Sequence, residues 1–269
     1  MGNKQNLESI LLDSRLITRV RFDKYNYKIV KCGKYLQVYY YKQAQIKETK
    51  KLNINRLKKI SSDNEEKTIR NNNIIRTKLN CQRLAKANSN EWKSFVTLTY
   101  SENIQNMAQA KKDLSYFLKN IQKIKKDFKY IAIPEFQKRG AIHFHLLTNL
   151  SLEDKNIVVR QKDNKKYFDI KFWNKGFTSF EMLDSDIKKV VGYISKYMTK
   201  ECDNRLFAVK RYTASQNLIK PKEEYIDLND KQQRDYFLKI IERKNCIYSN
   251  TYIDYSGNEV IFSEFIEKE

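Results

Sequence analysis

Between residues 91 and 183 the spacing of apolar positions changes period several times, and each change predicts an element. "FVTLTY" (95–100) alternates apolar and polar side chains with the two-residue period of a strand. Met107, Ala110, Leu114, Phe117, Leu118, Ile121, Ile124 and Phe128 then recur at threes and fours. That stripe predicts an amphipathic helix of about 24 residues. "KYIAIPEFQ" and "AIHFHLLT" are two strands either side of Lys138-Arg139-Gly140, a tight turn in which Gly140 supplies a positive φ. After a polar excursion over 151–166 come "YFDIKFW", a strand "FTSFEML" (177–183) and a helix from about Ser185. Strand, helix, hairpin, strand, helix predicts an α+β domain in which helices cover an antiparallel sheet.

The flanks are less regular. Residues 26–41, "NYKIVKCGKYLQVYYY", predict two strands about a Cys-Gly-Lys turn, and 47–90 predict one or two basic helices. Near the C-terminus "YIDYSGNEVIFSEF" predicts a hairpin about Ser-Gly-Asn that docks on the central domain. With only two prolines and six glycines, linker punctuation is nearly absent. The division therefore follows pattern: a basic N-terminal region 1–90 for DNA binding or support, a central domain 91–220, and an extension 221–269.

Charge narrows the partner. Lys and Arg number 53 against 32 Asp and Glu, a formal net charge of +21. Such an excess repels itself in the folded chain and is relieved by a bound polyanion, which points to nucleic acid. The competing reading is a ribosome-like basic protein whose lysines are solvated. No apolar run of membrane-spanning length and no signal-peptide start occurs, which predicts a cytoplasmic protein with no membrane association. Gly2 lacks the Ser or Thr that completes a myristoylation pattern. Cys32, Cys81, Cys202 and Cys246 form no CxxC pair, so neither a zinc ribbon nor a disulfide framework is expected.

The chain's two histidines, His143 and His145, lie one residue apart in the second hairpin strand. Alternation puts both on one face and Phe144 on the other. A three-residue loop at 138–140 sets Gln137 opposite Ala141, Glu135 opposite His143 and Ile133 opposite His145. One carboxylate then faces two imidazoles, a donor set for a divalent ion with an open coordination side. Without thiolates it suits Mg²⁺ or Mn²⁺, with zinc acceptable on affinity. Glu135 is the expected third ligand and Gln137 its competitor.

In "DSDIKKVVGYISKYMTKE" (184–201), Ile187, Val190, Val191, Ile194 and Met198 form an apolar stripe. Tyr193, Lys196, Tyr197 and Lys200 share the adjoining side, the two tyrosines one helical turn apart. A tyrosine hydroxyl, with a pKa near 10, attacks a phosphodiester only with help. A metal on the phosphate and a nearby lysine supply it. Two tyrosines allow two successive transesterifications.

"FVTLTY", "PEFQKRGAIHFHLL" and "GYISKYMTK", in this order, resemble the three motifs of HUH endonucleases. The nearest resemblance is to rolling-circle replication initiators of small plasmids and single-stranded DNA phages. It covers about 91–220, including "KRYTASQNLIKP" (210–221). The resemblance implies a ferredoxin-like HUH nuclease fold that nicks one strand at an origin. His143, His145 and Glu135 would hold the metal. Tyr193 or Tyr197 would become linked to the 5′ end and free a 3′-hydroxyl primer, with Lys196 assisting and the second tyrosine closing the circle. Lys138, Arg139 and Lys200 are the expected contacts to single-stranded and origin DNA.

No GxxxxGK phosphate loop occurs, so unwinding and synthesis are expected from a host helicase and DNA polymerase. Rivals are an HUH transposase or relaxase, and a non-enzymatic basic nucleic-acid-binding protein whose sheet stacks bases. The natural metal, the order of the tyrosines and the oligomeric state are not legible in the sequence.

Overall fold

The computed structural model describes residues 22–48, 63–154, 157–162, 165–183, 190, 192–194, 196–197, 210–254 and 256–268. It divides into two units, one of residues 63–221 and one of 1–62 with 222–269. The fold is α+β with two antiparallel five-stranded sheets.

The first unit begins with helix α1 (Asp63–Ala87). Strand β3 (Ser94–Tyr100), helix α2 (Met107–Ile124) and the hairpin β4 (Tyr130–Phe136) and β5 (Ile142–Thr148) follow. Strands β6 (Ile157–Lys162) and β7 (Lys165–Ile170) form a two-stranded sheet of their own, so the polar excursion of the sequence folds as a hairpin. Strand β8 (Gly176–Met182) and the short β9 (Thr213–Ala214) complete the main sheet, whose order is β8-β3-β5-β4-β9. Strand β5 lies antiparallel between β3 and β4, and α2 joins β3 to β4 across it. This is the split β-α-β arrangement of ferredoxin-like folds.

Each face of the sheet has its own cover. Val96 and Leu98 of β3 and Phe144 and Leu146 of β5 meet Leu114, Phe117, Leu118 and Ile121 of α2. Asn106 starts α2, its side chain accepting from the Ala108 and Gln109 amides. The helix stops at Ile124, shorter than the apolar stripe predicts, because Lys125 is extended. Phe128 still reaches this core from a turn in which its amide donates to the Lys125 carbonyl.

On the opposite face Phe95, Ile131, Ile133 and Leu147 pack with Trp92, Val190, Ile194 and Leu218, and with Cys81 and Ala85 of α1. Residues 63–90 therefore belong with the central unit, and the division expected at residue 90 does not hold. The last two turns of α1 are the enclosed part, where Cys81, Arg83, Ala85 and Ala87 are buried; these small and polar residues are why its sequence reads as a solvated basic helix. Asn88 fastens its end: the side-chain amide donates to the Leu84 and Ile219 carbonyls, each at 2.9 Å, and its oxygen accepts from the Ile219 amide at 2.9 Å. The Trp92 indole donates to the Ala85 carbonyl at 2.8 Å.

The second unit joins the two ends of the chain. Strands β1 (Phe22–Cys32) and β2 (Tyr35–Glu48) turn at Gly33, with φ of 62°. Strand β10 (Lys222–Ile226), helix α3 (Lys231–Glu242) and the hairpin β11 (Lys244–Ile253) and β12 (Glu259–Glu267) complete it. The sheet order is β10-β1-β2-β12-β11, with Phe237 of α3 packed on Ile29, Val38 and Ile226. The C-terminal hairpin was expected to dock on residues 91–220. It instead pairs with β2 from Val260 opposite Tyr41 to Ile266 opposite Tyr35. An open strand edge is satisfied by another strand, and β12 supplies it.

Candidate active site

The hairpin that carries the histidines has the register expected of it. The Gln137 amide donates to the Ala141 carbonyl at 2.8 Å and the Gly140 amide to the Gln137 carbonyl at 2.8 Å, closing a loop of residues 138–140. Gly140 has φ of 91°, a conformation that a side chain would strain. Glu135 lies opposite His143 and Ile133 opposite His145. Glu135, His143 and His145 thus share the face lined by Phe95, Ile133 and Leu147, while Phe144 enters the α2 core.

Within that face the carboxylate reaches diagonally. The His145 Nε2 and a Glu135 carboxylate oxygen are 2.5 Å apart, with the two side chains 6% and 13% exposed. On its other side the His145 Nδ1 is 3.2 Å from the Thr97 hydroxyl, and Thr97 is its cross-strand neighbour on β3. With Glu135 ionised, Nε2–H donates to the carboxylate and the Thr97 hydroxyl donates to Nδ1. His145 is therefore oriented from both sides. His143 differs: it is buried, and its Nε2 has no hydrogen-bond partner among the described residues. Burial and the neighbouring His145 push the His143 pKa below the ordinary imidazole value, with Glu135 opposing and Arg139 adding to the shift. It presents an unprotonated nitrogen at neutral pH.

Tyr193 and Tyr197 come from a segment that is helical at 192–194 and 196–197, anchored by the buried Val190 and Ile194. The Tyr197 ring stacks on the His145 imidazole with centroids 3.6 Å apart and planes 20° apart. Tyr193 stacks on Phe95 at 3.5 Å, and the two tyrosine rings lie 4.6 Å apart. The Tyr193 hydroxyl shares hydrogen bonds with Tyr197 and Thr97. Burial, then Tyr197, raise its pKa well above the ordinary phenol value, with Thr97 partly offsetting them. Lys196 is exposed, its ammonium 5.4 Å from the centre of the Tyr197 ring.

The other expected residues sort as follows. Lys138 and Arg139 are exposed on the hairpin turn. The Arg139 guanidinium donates to the Tyr100 carbonyl at 3.3 Å and to the Gln137 side-chain oxygen at 3.0 Å. Gln137 is thereby engaged at the turn, which favours Glu135 as the third donor. Lys200, Ile187, Val191 and Met198 lie outside the described residues. Cys32 and Cys81 are buried, and Cys246 is an exposed thiol.

The side chains fit a divalent ion in donor type, and the unpartnered His143 nitrogen is what such an ion would satisfy. They are not drawn into one shell: among the described residues no three His, Cys, Asp or Glu side chains form a group able to hold a metal. The Glu135 carboxylate closes on His145 instead. Sequence reasoning did not single out Thr97, Phe95 or the supporting α1. Thr97 occupies the strand face that carries the histidines, yet the β3–β5 register that sets it beside His145 is a long-range pairing with no local signal.

Residues 93–202 match the family described as replication-associated protein ORF2/G2P. No curated protein and no solved structure matches the chain. No helix among the described residues is long and apolar enough to cross a membrane.

Proposed function

We propose, from the family of replication-associated proteins ORF2/G2P to which residues 93–202 belong, that this replication initiator nicks and rejoins one DNA strand by tyrosine transesterification. The observation that carries the reading is the stacking of Tyr197 on His145, the histidine that Glu135 and Thr97 hold in place. A nucleophile candidate and a metal-ligand candidate meet on one sheet face.

His143, His145 and Glu135 would hold Mg²⁺ or Mn²⁺, which when bound supplies Lewis-acid polarisation of the scissile phosphate. Thr97 would keep the ring plane of His145 while Nε2, now paired with Glu135, turned its lone pair to the ion. Tyr197 is the first nucleophile: its ring lies on His145, whereas Tyr193 packs on Phe95 with its hydroxyl shared between Thr97 and Tyr197. The Tyr197 oxygen bonds to phosphorus as the bond to the 3′ oxygen breaks. The phenol proton leaves, the departing oxygen gains one, and the products are a 5′-phosphotyrosine and a 3′-hydroxyl primer. Lys196 offsets negative charge developing on the phenol and phosphate. Bond energy is conserved in the linkage, so without ATP Tyr193 can cut the strand a second time, and the 3′-hydroxyl it frees can attack the Tyr197 phosphotyrosine, closing the circle and releasing the Tyr197 phenol. Lys138 and Arg139 meet the strand at the hairpin turn, and host helicase and polymerase supply unwinding and synthesis.

The test is a denaturing gel of the full chain with single-stranded fragments of its own replicon, in Mn²⁺ or EDTA. A Mn²⁺-dependent protein–DNA adduct is expected from wild type and from Y193F, and none from Y197F or the double variant. An adduct formed by Y197F but not by Y193F would reverse the order of the tyrosines. DNA retention without an adduct on any fragment would leave a binding protein in place of an enzyme.

A further inference from the structure

Strand β8 is an edge of the sheet, and the side chains it adds to the histidine face are Phe177, Ser179 and Glu181. Phe177 is 62% exposed. It lies opposite Thr99, which lies opposite His143, which lies opposite Glu135. One row thus crosses four strands from an exposed aromatic ring to the candidate metal ligands. Adjacent strands are about 4.8 Å apart, so Phe177 sits roughly 10 Å from His143 along the row.

The ring is mounted on fixed backbone. The Trp173 indole donates to the Thr99 carbonyl at 3.0 Å, and the Ser101 amide donates to the Lys175 carbonyl at 2.9 Å. At Gly176 the chain passes so close to β3 that an added Cβ would lie 2.3 Å from the Thr99 oxygen and 2.4 Å from the Ser101 nitrogen. Its φ of 158° is one that side-chain-bearing residues rarely adopt, so glycine serves both the backbone and the close approach. Exposing a phenylalanine forgoes the favourable burial of its ring, and here nothing in the core requires it. The cations Lys138, Arg139, Lys171 and Lys175 are exposed at the same end of the sheet. An exposed aromatic ring with cations at the same end of the sheet is the combination that binds a single strand, ring on base and ammonium on phosphate.

We propose that Phe177 is a stacking platform for a base of single-stranded DNA next to the phosphate held over His143 and His145. The assignment rests on the nicking function proposed above for its direction, and adds to it a positioning residue outside the chemistry. Stacking recognises the π-face shared by all bases, so it fixes the path of the strand while leaving its sequence to other contacts.

The experiment measures fluorescence anisotropy of a labelled mixed-sequence single-stranded oligonucleotide titrated with full-length protein in EDTA, where no cleavage step contributes. F177A is expected to weaken binding roughly 5- to 100-fold. F177W should restore it, and F177L, apolar but without a π-face, should stay weak. The slope of affinity against salt should be unchanged in F177A and reduced in K175A, which removes a phosphate partner. Thermal unfolding should be the same for F177A and wild type. Binding by F177A within twofold of wild type, or full rescue by F177L, overturns the platform. The same titration on the Y193F/Y197F variant separates the two readings: dependence on Phe177 there, without any adduct from wild type, supports the platform and removes the nuclease.

Discussion

Substituting His143 by leucine separates function from stability in a way few site residues allow. The imidazole is buried on the Thr99–His143–Glu135 row, and its Nε2 is unpartnered among the described residues. A buried polar group without a partner costs about 1–3 kcal/mol. Leucine is of comparable size and carries no such group, so in EDTA H143L should be as stable as wild type or up to about 2 kcal/mol more stable. In urea, with a slope of about 1–3 kcal/mol per M, that gain raises the midpoint by roughly 1 M. If the proposed ion binds there, metal should reverse the order. Mn²⁺ at about 100 times its dissociation constant stabilises wild type by about 2.7 kcal/mol and should leave H143L unmoved. The neighbouring F144A is the contrast, because Phe144 fills the α2 core. It should lose about 3–5 kcal/mol and keep its response to Mn²⁺. The assay is urea unfolding of the full chain, followed by circular dichroism in EDTA and in Mn²⁺. A loss of about 2 kcal/mol or more by H143L in EDTA would show that the imidazole is a packing residue. A midpoint shift with Mn²⁺ equal to that of wild type would remove His143 from the site.

Three further outcomes are expected. E135Q retains a hydrogen-bond partner for His145 and should fold normally, with the Mn²⁺-dependent adduct reduced about 100-fold or more on the gel. N88A leaves both backbone groups of Ile219 without their side-chain partner and should cost about 2–4 kcal/mol in urea, with N88D retaining part of that because it still accepts from the Ile219 amide. The His143 pKa is lowered on folding, so the unfolded chain takes up this proton first as the pH falls. The stability linked to His143 is therefore complete above about pH 6.5 and declines as the pH drops toward the folded-state value, an acid sensitivity that H143L should lack in melting curves.

What could be read from the sequence is what depends on local pattern. Side-chain alternation in "IHFHLL" and the turn at Gly140 suffice to set Glu135 opposite His143, and the register follows. The apolar stripe over Met107–Ile121 marks α2 for the same reason, and it overshoots only where extended Lys125 ends the helix before Phe128. Pairings between distant segments leave no such mark. Nothing local tells Val260 that it will lie opposite Tyr41, or Thr97 that it will support His145. Helix α1 was legible as a basic helix but its docking was not: Cys81 and Ala85 are small, so a polar helix packs on the sheet without a conspicuous apolar stripe.

The division of labour between the sheet faces suits the place proposed for the chemistry. The face toward α2 is closed by large apolar side chains and leaves no room for a substrate. The opposite face is apolar only over part of its extent, where Phe95, Ile131 and Leu147 meet α1 and the tyrosine-bearing segment. Along that face the rows then change character, from Phe95 and Leu147, through Thr97 and His145, to Phe177, Thr99, His143 and Glu135. The tyrosines stand at the boundary, Tyr193 on Phe95 and Tyr197 on His145. A nucleophile held there, as proposed, would gain rigidity from the packed rows and meet its substrate on the polar ones. Loosening the packed rows, as N88A does from the far side of the same cover, should therefore slow adduct formation before it unfolds the unit.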